Sequence, residues 1–232
     1  MEDHFRAFSF VDRIASVEPG VRIRGHYSIP SGLSEFPASL VAEAVGQLAA
    51  WAAMAAVNFE RRPVAGLAES IELLAPVRPG QVLELSADLE SVDREAVGYS
   101  GSAHADGIPV IRLQHCVGPM VAAGEFDCPE KLRERFNVLC GTGAVPGGFG
   151  GVPALVLEQS SGEAGRCARA TLSLPASAPL FGDHFPRRPV FPGSLLMHMN
   201  LQLSAVLAGQ LPRPAQGVYF QAAQSAMWRM SC

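Results

Sequence analysis

The chain has 232 residues, enough for one large domain or two small ones. Hydrophobic residues make up 48% of the chain and charged residues 17%, which excludes a disordered protein and predicts a large apolar core. The net charge of −4 provides no basic surface for a phosphate backbone, so we expect no nucleic-acid partner.

The first predicted elements are two strands within residues 8–30. Apolar residues alternate in Val21–Ile29, and Phe10–Ile14 precedes that segment across the turn signal Glu18–Gly20. The charged start, Met1–Arg6, lacks the apolar run of a signal peptide. The five cysteines are widely spaced and form no C-x-x-C pair, so we expect a cytoplasmic protein without a disulfide framework or a zinc site.

A long apolar helix is predicted to begin at Pro37 and to end near Asn58. Its apolar stretch, Leu40–Val57, has 18 residues, which is near the lower limit for a membrane span. However, Glu43 and Gln47 interrupt this stretch, and strand-like segments surround it. We therefore interpret it as a buried core helix and not as a membrane span.

Four strand candidates follow the helix and are separated by turn signals: Ala65–Leu74, Gln81–Val92, Glu95–Ala105 and Pro109–Val121. Strands of this length after one long apolar helix predict an antiparallel sheet that wraps around it. Asp127 and Glu130 then have the spacing of a capping box, which predicts a short helix ending near Asn137. Residues 141–151 hold six glycines and are interpreted as a flexible linker.

The pattern restarts after the linker, with strands predicted at Ala154–Gln159 and Arg166–Leu174 and an apolar helix from Pro192 to near Gly209. We interpret the restart as an internal repeat, because Phe36-Pro-Ala-Ser-Leu40 matches Phe191-Pro-Gly-Ser-Leu195. The second copy has ten extra residues before its helix. The predicted units are a first repeat (1–125), a short helix with a linker (126–151) and a second repeat (152–232).

The extra segment carries the motif His184-Phe-Pro186, which is followed by Phe191-Pro-Gly193. This arrangement resembles the active-site signature of the β-hydroxyacyl-acyl-carrier-protein dehydratases, which have the hot-dog fold. The first helix, from Pro37 to Gln47, resembles the helical signature of that family, with Glu43 at the position of its acid. The resemblance covers most of residues 8–121 and 154–231. It implies an α+β double hot-dog, each repeat an antiparallel sheet around a long helix.

Each copy keeps one half of the catalytic pair that the resemblance implies. The second copy has His198 where the family has its acid, and the first copy lacks the H-F-P loop. In homodimers of the family, each site takes its histidine from one subunit and its acid from the other. We therefore expect one composite site, formed by His184 and Glu43 in an internal pseudo-dimer, and a homodimer of the chain stays open.

These residue types fit the dehydration of a 3-hydroxyacyl thioester. A neutral imidazole at His184 would take the C2 proton, and a protonated carboxyl at Glu43, on its apolar helix, would protonate the leaving hydroxide. Backbone N–H groups near Gly193 would bind the enolate oxygen. The resemblance adds Phe185 and Pro192 to the substrate-binding set. It also makes Gln47 a supporting residue. We expect no metal or organic cofactor, because the thioester already acidifies C2.

Several alternatives stay open at this point. The substrate is expected to be a thioester of acyl carrier protein or of coenzyme A, and a thioesterase or a non-catalytic acyl-binding scaffold would be alternative functions. His198 is interpreted as a core or tunnel-wall residue. Arg187 and Arg188 either meet an acidic carrier protein or lie in a solvated loop. The second repeat is expected to be incomplete, because Ala222–Cys232 matches only an early part of the first. No role is assigned to the remaining histidines, His4, His26, His104 and His115.

Overall fold

The computed structural model describes residues 4–64 and 66–211. Residues 13–122 form a seven-stranded sheet of antiparallel pairs around one long helix. The strand order is β1-β2-β5-β6-β7, and β7 also pairs with β4 and, at its other end, with β3. The elements are β1 (Arg13–Glu18), β2 (Arg22–Ser28), α1 (Ala38–Ala56), β3 (Arg61–Pro63), β4 (Leu67–Leu73), β5 (Val82–Val92), β6 (Ala96–Ala105) and β7 (Ile108–Ala122).

Helix α1 is the centre of the core, since 12 of its 19 residues are buried. Among the described residues it is the one helix whose length and composition would allow a membrane span, and most of its apolar surface is covered within the protein. Strand β5 has one face toward the core and one toward solvent. Its Leu83, Leu85 and Ala87 are buried, whereas Glu84 and Asp88 are exposed. The predicted α+β arrangement of a sheet wrapped around a helix, the hot-dog fold, is therefore confirmed.

Two glycines let α1 lie close to the sheet. A Cβ atom on Gly25 of β2 would lie 2.5 Å from the carbonyl oxygen of Arg13 and 2.9 Å from Cδ1 of Leu48. A Cβ atom on Gly101 of β6 would lie 2.5 Å from Cγ1 of Val45. Because atoms in a packed core do not approach that closely, a larger residue at either position would push the helix away from the sheet.

The described part of the second half of the chain, residues 123–211, packs against the first half. Its elements are α2 (Ala123–Phe126), α3 (Pro129–Cys140), the paired strands β8 (Val156–Glu163) and β9 (Cys167–Ser173), a 3-10 turn (Pro179–Gly182) and α4 (Gly193–Ala208). Helix α4 contacts α1, and its Leu195 is buried in the same apolar core as α1. The two long apolar helices therefore lie next to each other.

The helices and strands predicted between residues 8 and 209 are present, with ends that differ by a few residues. Strand β3 and helix α2 were not predicted, because segments of three and four residues are too short to show a period. The match that we drew at Ala222–Cys232 lies outside the described residues.

The capping box predicted at Asp127 is wrong. The residue that caps α3 is Cys128, and no side chain donates or accepts a capping hydrogen bond there. Asp127 is buried and its carboxylate binds Nη1 of Arg62 at 3.0 Å, because a buried charge gains more from a cation than from a helix end. The glycine-rich segment that we interpreted as a flexible linker packs against the core, since the ring centroid of Phe149 lies 5.1 Å from that of Phe10.

Candidate active site

Glu43 and Gln47 lie one turn apart on α1, so their side chains share one helix face. Nε2 of Gln47 donates to Oε1 of Glu43 at 3.0 Å and to the carbonyl oxygen of Phe8 at 3.0 Å. Its Oε1 accepts a hydrogen bond from the N–H of Phe10 at 2.8 Å. One amide side chain therefore holds both the Glu43 carboxylate and the segment that leads into β1.

Phe8 connects the helix of Glu43 to the loop of His184. Its carbonyl oxygen is bound by Gln47, and its N–H donates to Oδ2 of Asp183 at 2.8 Å. Its ring meets the His184 ring edge to face, with 5.3 Å between the centroids. A continuous chain of contacts thus joins Glu43, Gln47, Phe8 and His184, the residues of the predicted catalytic pair and their links.

His184 follows the 3-10 turn, where its N–H donates to the carbonyl oxygen of Leu180 at 2.7 Å. Its Nδ1 lies 2.8 Å from the carbonyl oxygen of Val190. Because a carbonyl oxygen only accepts, Nδ1 must carry a hydrogen, and in the neutral ring Nε2 then keeps its lone pair. Burial lowers the pKa of His184, although the charge of Glu43 acts in the opposite direction. The imidazole is therefore neutral at pH 7 and offers Nε2 as a base.

Phe185 has a φ of 62°, in the left-handed region that aromatic residues rarely adopt. Its buried ring packs at 5.3 Å from the ring of Phe126, and the guanidinium of Arg62 lies 4.2 Å from its centroid. These contacts offset the cost of the unusual backbone angle, and this angle sets the direction of the loop directly after His184. The structure thus gives Phe185 a clear packing position, while its predicted part in substrate binding stays a prediction.

Charged and polar groups surround Glu43 more closely than its apolar helix suggests. Burial lowers the pKa of the Arg62 guanidinium, while the carboxylates of Asp127 and Glu43 raise it. Burial has the largest effect on Tyr99 and raises its pKa. Cys116 and the charge of Glu43 raise this pKa further, so the phenol stays neutral. The charge of Glu43 therefore acts on the pKa of a guanidinium, a phenol and an imidazole.

Pro192 caps α4 and Gly193 is its first residue, while their predicted part in binding the substrate stays a prediction. The carbonyl oxygen of Pro192 accepts from the N–H groups of Leu195 and Leu196, at 3.1 and 3.3 Å. The N–H groups of Gly193 and Ser194 come before the first helical hydrogen bond, so the helix itself supplies no acceptor for them. Oγ of Ser194 is also buried without a hydrogen-bond partner. This end of the helix can therefore bind an acceptor or a developing negative charge.

His198 and Arg187 lie in other surroundings. Nε2 of His198 is 3.0 Å from Nε2 of Gln202 and 3.9 Å from Oε1 of Glu35, and burial lowers the pKa of this histidine. Nη1 of Arg187 donates to the carbonyl oxygen of Gly124 at 2.8 Å, so this arginine ties the loop to α2.

Sequence reasoning missed four residues around the loop, His4, Arg62, Asp127 and Asp183. Asp127 and Asp183 are buried acids that contact cations or N–H groups far away along the chain. Only the position of Asp183, directly before His184, was a signal in the sequence. Across residues 4–64 and 66–211, no cluster of three or more His, Cys, Asp or Glu side chains could hold a metal ion.

Comparisons with known proteins find a curated relative that is similar over part of the chain. No family model matches the sequence. A 3-hydroxyacyl-[acyl-carrier-protein] dehydratase FabZ from Tolumonas auensis is 31% identical over 77 residues, which are 32% of this chain and 51% of that protein. The chain thus spans about half the length of this curated relative.

Among solved structures, the fluoroacetyl-CoA thioesterase FlK aligns over 52% of this chain and 98% of its own, with a TM-score of 0.40 and 15% identity. A hypothetical thioesterase with coenzyme A from Streptococcus pneumoniae aligns over 47% of this chain and 84% of its own, with a TM-score of 0.38 and 12% identity.

Proposed function

We propose that the protein is a dehydratase that removes water from 3-hydroxyacyl thioesters of acyl carrier protein or coenzyme A. The product would be a trans-2-enoyl thioester, in fatty acid or polyketide-type biosynthesis in the cytoplasm. The observation that carries this proposal is the position of His184, whose Nδ1–H binds Val190 and leaves Nε2 as a base, while Phe8 and Gln47 connect its ring to Glu43 through direct contacts. The partial similarity to 3-hydroxyacyl-acyl-carrier-protein dehydratases supports the same activity.

In the proposed mechanism, Nε2 of His184 takes the proton from C2 of the substrate. The electron pair of that C–H bond forms the C2–C3 double bond as the C3–O bond breaks. The protonated carboxyl of Glu43 gives its proton to the leaving oxygen, so water departs. The imidazolium and the carboxylate that remain return to their starting states when the proton passes from His184 to Glu43, directly or through one water.

Negative charge develops on the thioester oxygen during this step. The N–H groups of Gly193 and Ser194, at the start of α4, would stabilise it together with the helix dipole, since the helix supplies no acceptor for them. Pro192 sets this start with a φ of −61° and a ψ of 130°. Phe185 would limit the pocket beside the imidazole, since its ring centroid lies 4.4 Å from that of His184.

The site is proposed to be composite, with Glu43 from a first hot-dog repeat (1–125) and His184 from a second (152–232). The contact between α1 and α4 supports this internal pseudo-dimer, because the two halves of the pair are useful only when the central helices are adjacent. Gln47 would support the site by orienting the Glu43 carboxylate.

The direct test is mass spectrometry of the protein incubated with 3-hydroxyacyl thioesters. We expect loss of water from the acyl chain. Glu43→Gln and His184→Ala should each lower the rate by about 10²–10⁴-fold, the usual contribution of general acid or base catalysis. The double variant should be little worse than the poorer single variant, because the two groups act on one substrate as a unit. Glu84→Gln, on the exposed side of β5, is the matched control and should keep the wild-type rate.

Each other outcome identifies a different function. Loss of the acyl group without dehydration would mean that the protein is a thioesterase. Binding of the acyl thioester without any change of mass would mean that it is an acyl-binding scaffold. If Glu43→Gln dehydrates the substrate at the wild-type rate, the composite site is refuted, although the protein is still a dehydratase.

A further inference from the structure

Two buried carboxylates lie next to the H-F-P loop and take no part in the proposed chemistry. Asp127 is 2% exposed and Asp183 is 8% exposed, and they are the acidic residues that rank as buried within the described chain. Burial of a carboxylate is costly unless cations or N–H donors pair with it. Two such groups beside the candidate base therefore need partners and a structural reason.

His4 contacts both carboxylates, Asp127 through a hydrogen bond and Asp183 through an ion pair. Its Nε2 lies 3.2 Å from Oδ1 of Asp127, and its Nδ1 lies 3.2 Å from the carbonyl oxygen of Gly182 and 3.5 Å from Oδ1 of Asp183. A carbonyl oxygen and an ionised carboxylate can only accept hydrogen bonds. Both ring nitrogens must then carry hydrogen, so the geometry fits an imidazolium cation. Burial lowers the pKa of His4, but the hydrogen bonds and charges of the two carboxylates outweigh it and raise the pKa to about 9.

Two arginines complete the network. Nη1 of Arg62 donates to Oδ2 of Asp127 at 3.0 Å, and the N–H of Cys128 donates to Oδ1 at 2.7 Å. Burial lowers the pKa of Arg135, whereas the charge of Asp183 raises it. Nη2 of Arg135 donates to the carbonyl oxygen of Phe5, the residue after His4. Three cations, His4, Arg62 and Arg135, thus act on two carboxylates, and the network joins the start of the chain, β3, α3 and the loop.

The network holds the loop on both sides of His184. Before the histidine, Gly182 and Asp183 are bound by His4, and Asp183 also accepts from the N–H of Phe8. After the histidine, the Phe185 ring lies under the guanidinium of Arg62. Because residues 182, 183 and 185 are all fixed, the ring of His184 has little freedom to change its direction.

We propose that His4 is a positioning residue: it crosslinks Asp183 to Asp127 and thereby fixes the loop so that Nδ1 of His184 stays on Val190 and Nε2 faces the substrate. His4 does not touch the substrate. Its catalytic consequence rests on the proposed dehydratase function, whereas its effect on the tautomer and direction of His184 does not.

The first measurement reads the His184 ring without any substrate. Nitrogen-15 NMR of the imidazole distinguishes a proton on Nδ1 from one on Nε2. In the wild type we expect the Nδ1–H form at pH 7. In His4→Gln we expect shifts averaged between the two forms, because the loop no longer holds Nδ1 against Val190. His115→Gln is the matched control, since His115 also binds a carboxylate, Glu90 at 3.1 Å, but on the exposed sheet surface. It should leave the His184 spectrum unchanged.

The second measurement needs no substitution and so remains valid if His4→Gln does not fold. Raising the pH of the wild-type protein through about 9 removes the proton of His4. The groups that face His4 are Asp127 and Asp183, with Arg62 and Arg135 behind them, and the carboxylates stay ionised over this range. We therefore expect the His184 signals to change from the single Nδ1–H form to averaged shifts between pH 8 and 10. A His184 spectrum that stays constant through pH 10 would overturn the proposal.

The third measurement is the steady-state rate of dehydration. A displaced base lowers kcat by about 10–100-fold in His4→Gln, with a change in KM of less than about threefold, because misplacement affects the reacting geometry more than binding. Asp183→Asn should have the same effect, and Asp88→Asn, which breaks the exposed pair with Arg24, should have none.

The results separate the two proposals. If the wild type does not dehydrate any 3-hydroxyacyl thioester but the His184 spectrum responds to His4, the proposed function fails and the positioning role stands. If the wild type dehydrates and His4→Gln, folded, keeps both kcat and the His184 spectrum, the positioning role is refuted.

Discussion

Gln47→Ala removes the side chain that joins α1 to the segment before β1, and its effect on stability can be worked out from the contacts. The substitution leaves the carbonyl oxygen of Phe8 and the N–H of Phe10 without their partner, and these two residues are 3% and 0% exposed. A buried polar group that loses its partner costs about 1–3 kcal/mol. The hydrogen bond to Glu43 adds about 0.2–0.5 kcal/mol, as for other polar pairs one turn apart on a helix.

We therefore expect Gln47→Ala to lower the free energy of unfolding by about 2–4 kcal/mol, allowing for partial access of water to the two backbone groups. For a chain of this size that corresponds to a fall in Tm of about 5–15 °C. The same substitution should lower the dehydration rate, because the Glu43 carboxylate loses the donor that orients it.

The second helix offers a matched control. Gln202 lies one turn after His198 on α4, as Gln47 lies one turn after Glu43 on α1, but its amide is exposed and binds the His198 ring at 3.0 Å. Gln202→Ala removes the same atoms and gains the same helix propensity, so that contribution cancels in the comparison. A change of less than about 0.5 kcal/mol is expected for this exposed site.

Urea denaturation of the two variants and the wild type measures these differences, with equal slopes as the condition for comparing midpoints. Equal losses of stability in Gln47→Ala and Gln202→Ala would mean that the hydrogen bonds of Gln47 to Phe8 and Phe10 do not stabilise the fold. A destabilised Gln47→Ala that dehydrates at the wild-type rate would mean that Gln47 holds the segment before β1 without orienting Glu43.

The architecture of the first half could be predicted because its signals are local. The alternation in β5 and the long apolar stretch of α1 each arise within one element, and each has a period that matches its structure. Gly25 and Gly101 gave no such signal, because the atoms that leave no room for a side chain there come from other elements of the fold. Strand β3 and helix α2 form through pairing with β7 and packing near it, so their own residues carry little pattern.

The candidate site was predicted only in its motif residues. His184 and Glu43 stand in recognisable sequence contexts, but the groups that surround them come from distant positions. Asp127 has a local pattern that suggests a helix cap, and the cations that pair with it are His4 and Arg62, 123 and 65 residues away. A sequence pattern ranks local partners first, whereas a buried carboxylate binds whichever cations the fold brings to it.

Three further predictions follow from the charges and contacts of the site. Because burial lowers the pKa of His184, the neutral base should persist below pH 6.5, and kcat/KM should fall with acid only below that value; a fall centred above pH 6.5 would contradict this assignment. His4 has its pKa raised to about 9 in the fold and about 6.5 when unfolded, so it stabilises the fold fully below pH 6.5 and loses this contribution of about 3 kcal/mol as the pH rises through 9. Urea denaturation at pH 6, 8 and 10 should show that loss in the wild type and not in His4→Gln. His198→Ala should keep dehydration within about tenfold of the wild type, because one general acid or base contributes at least 10²-fold and His198 faces Glu35 and Gln202 instead of the H-F-P loop. A loss as large as that of His184→Ala, in a variant with unchanged stability, would mean that His198 takes part in the chemistry, and the site with a single His–Glu pair would be wrong.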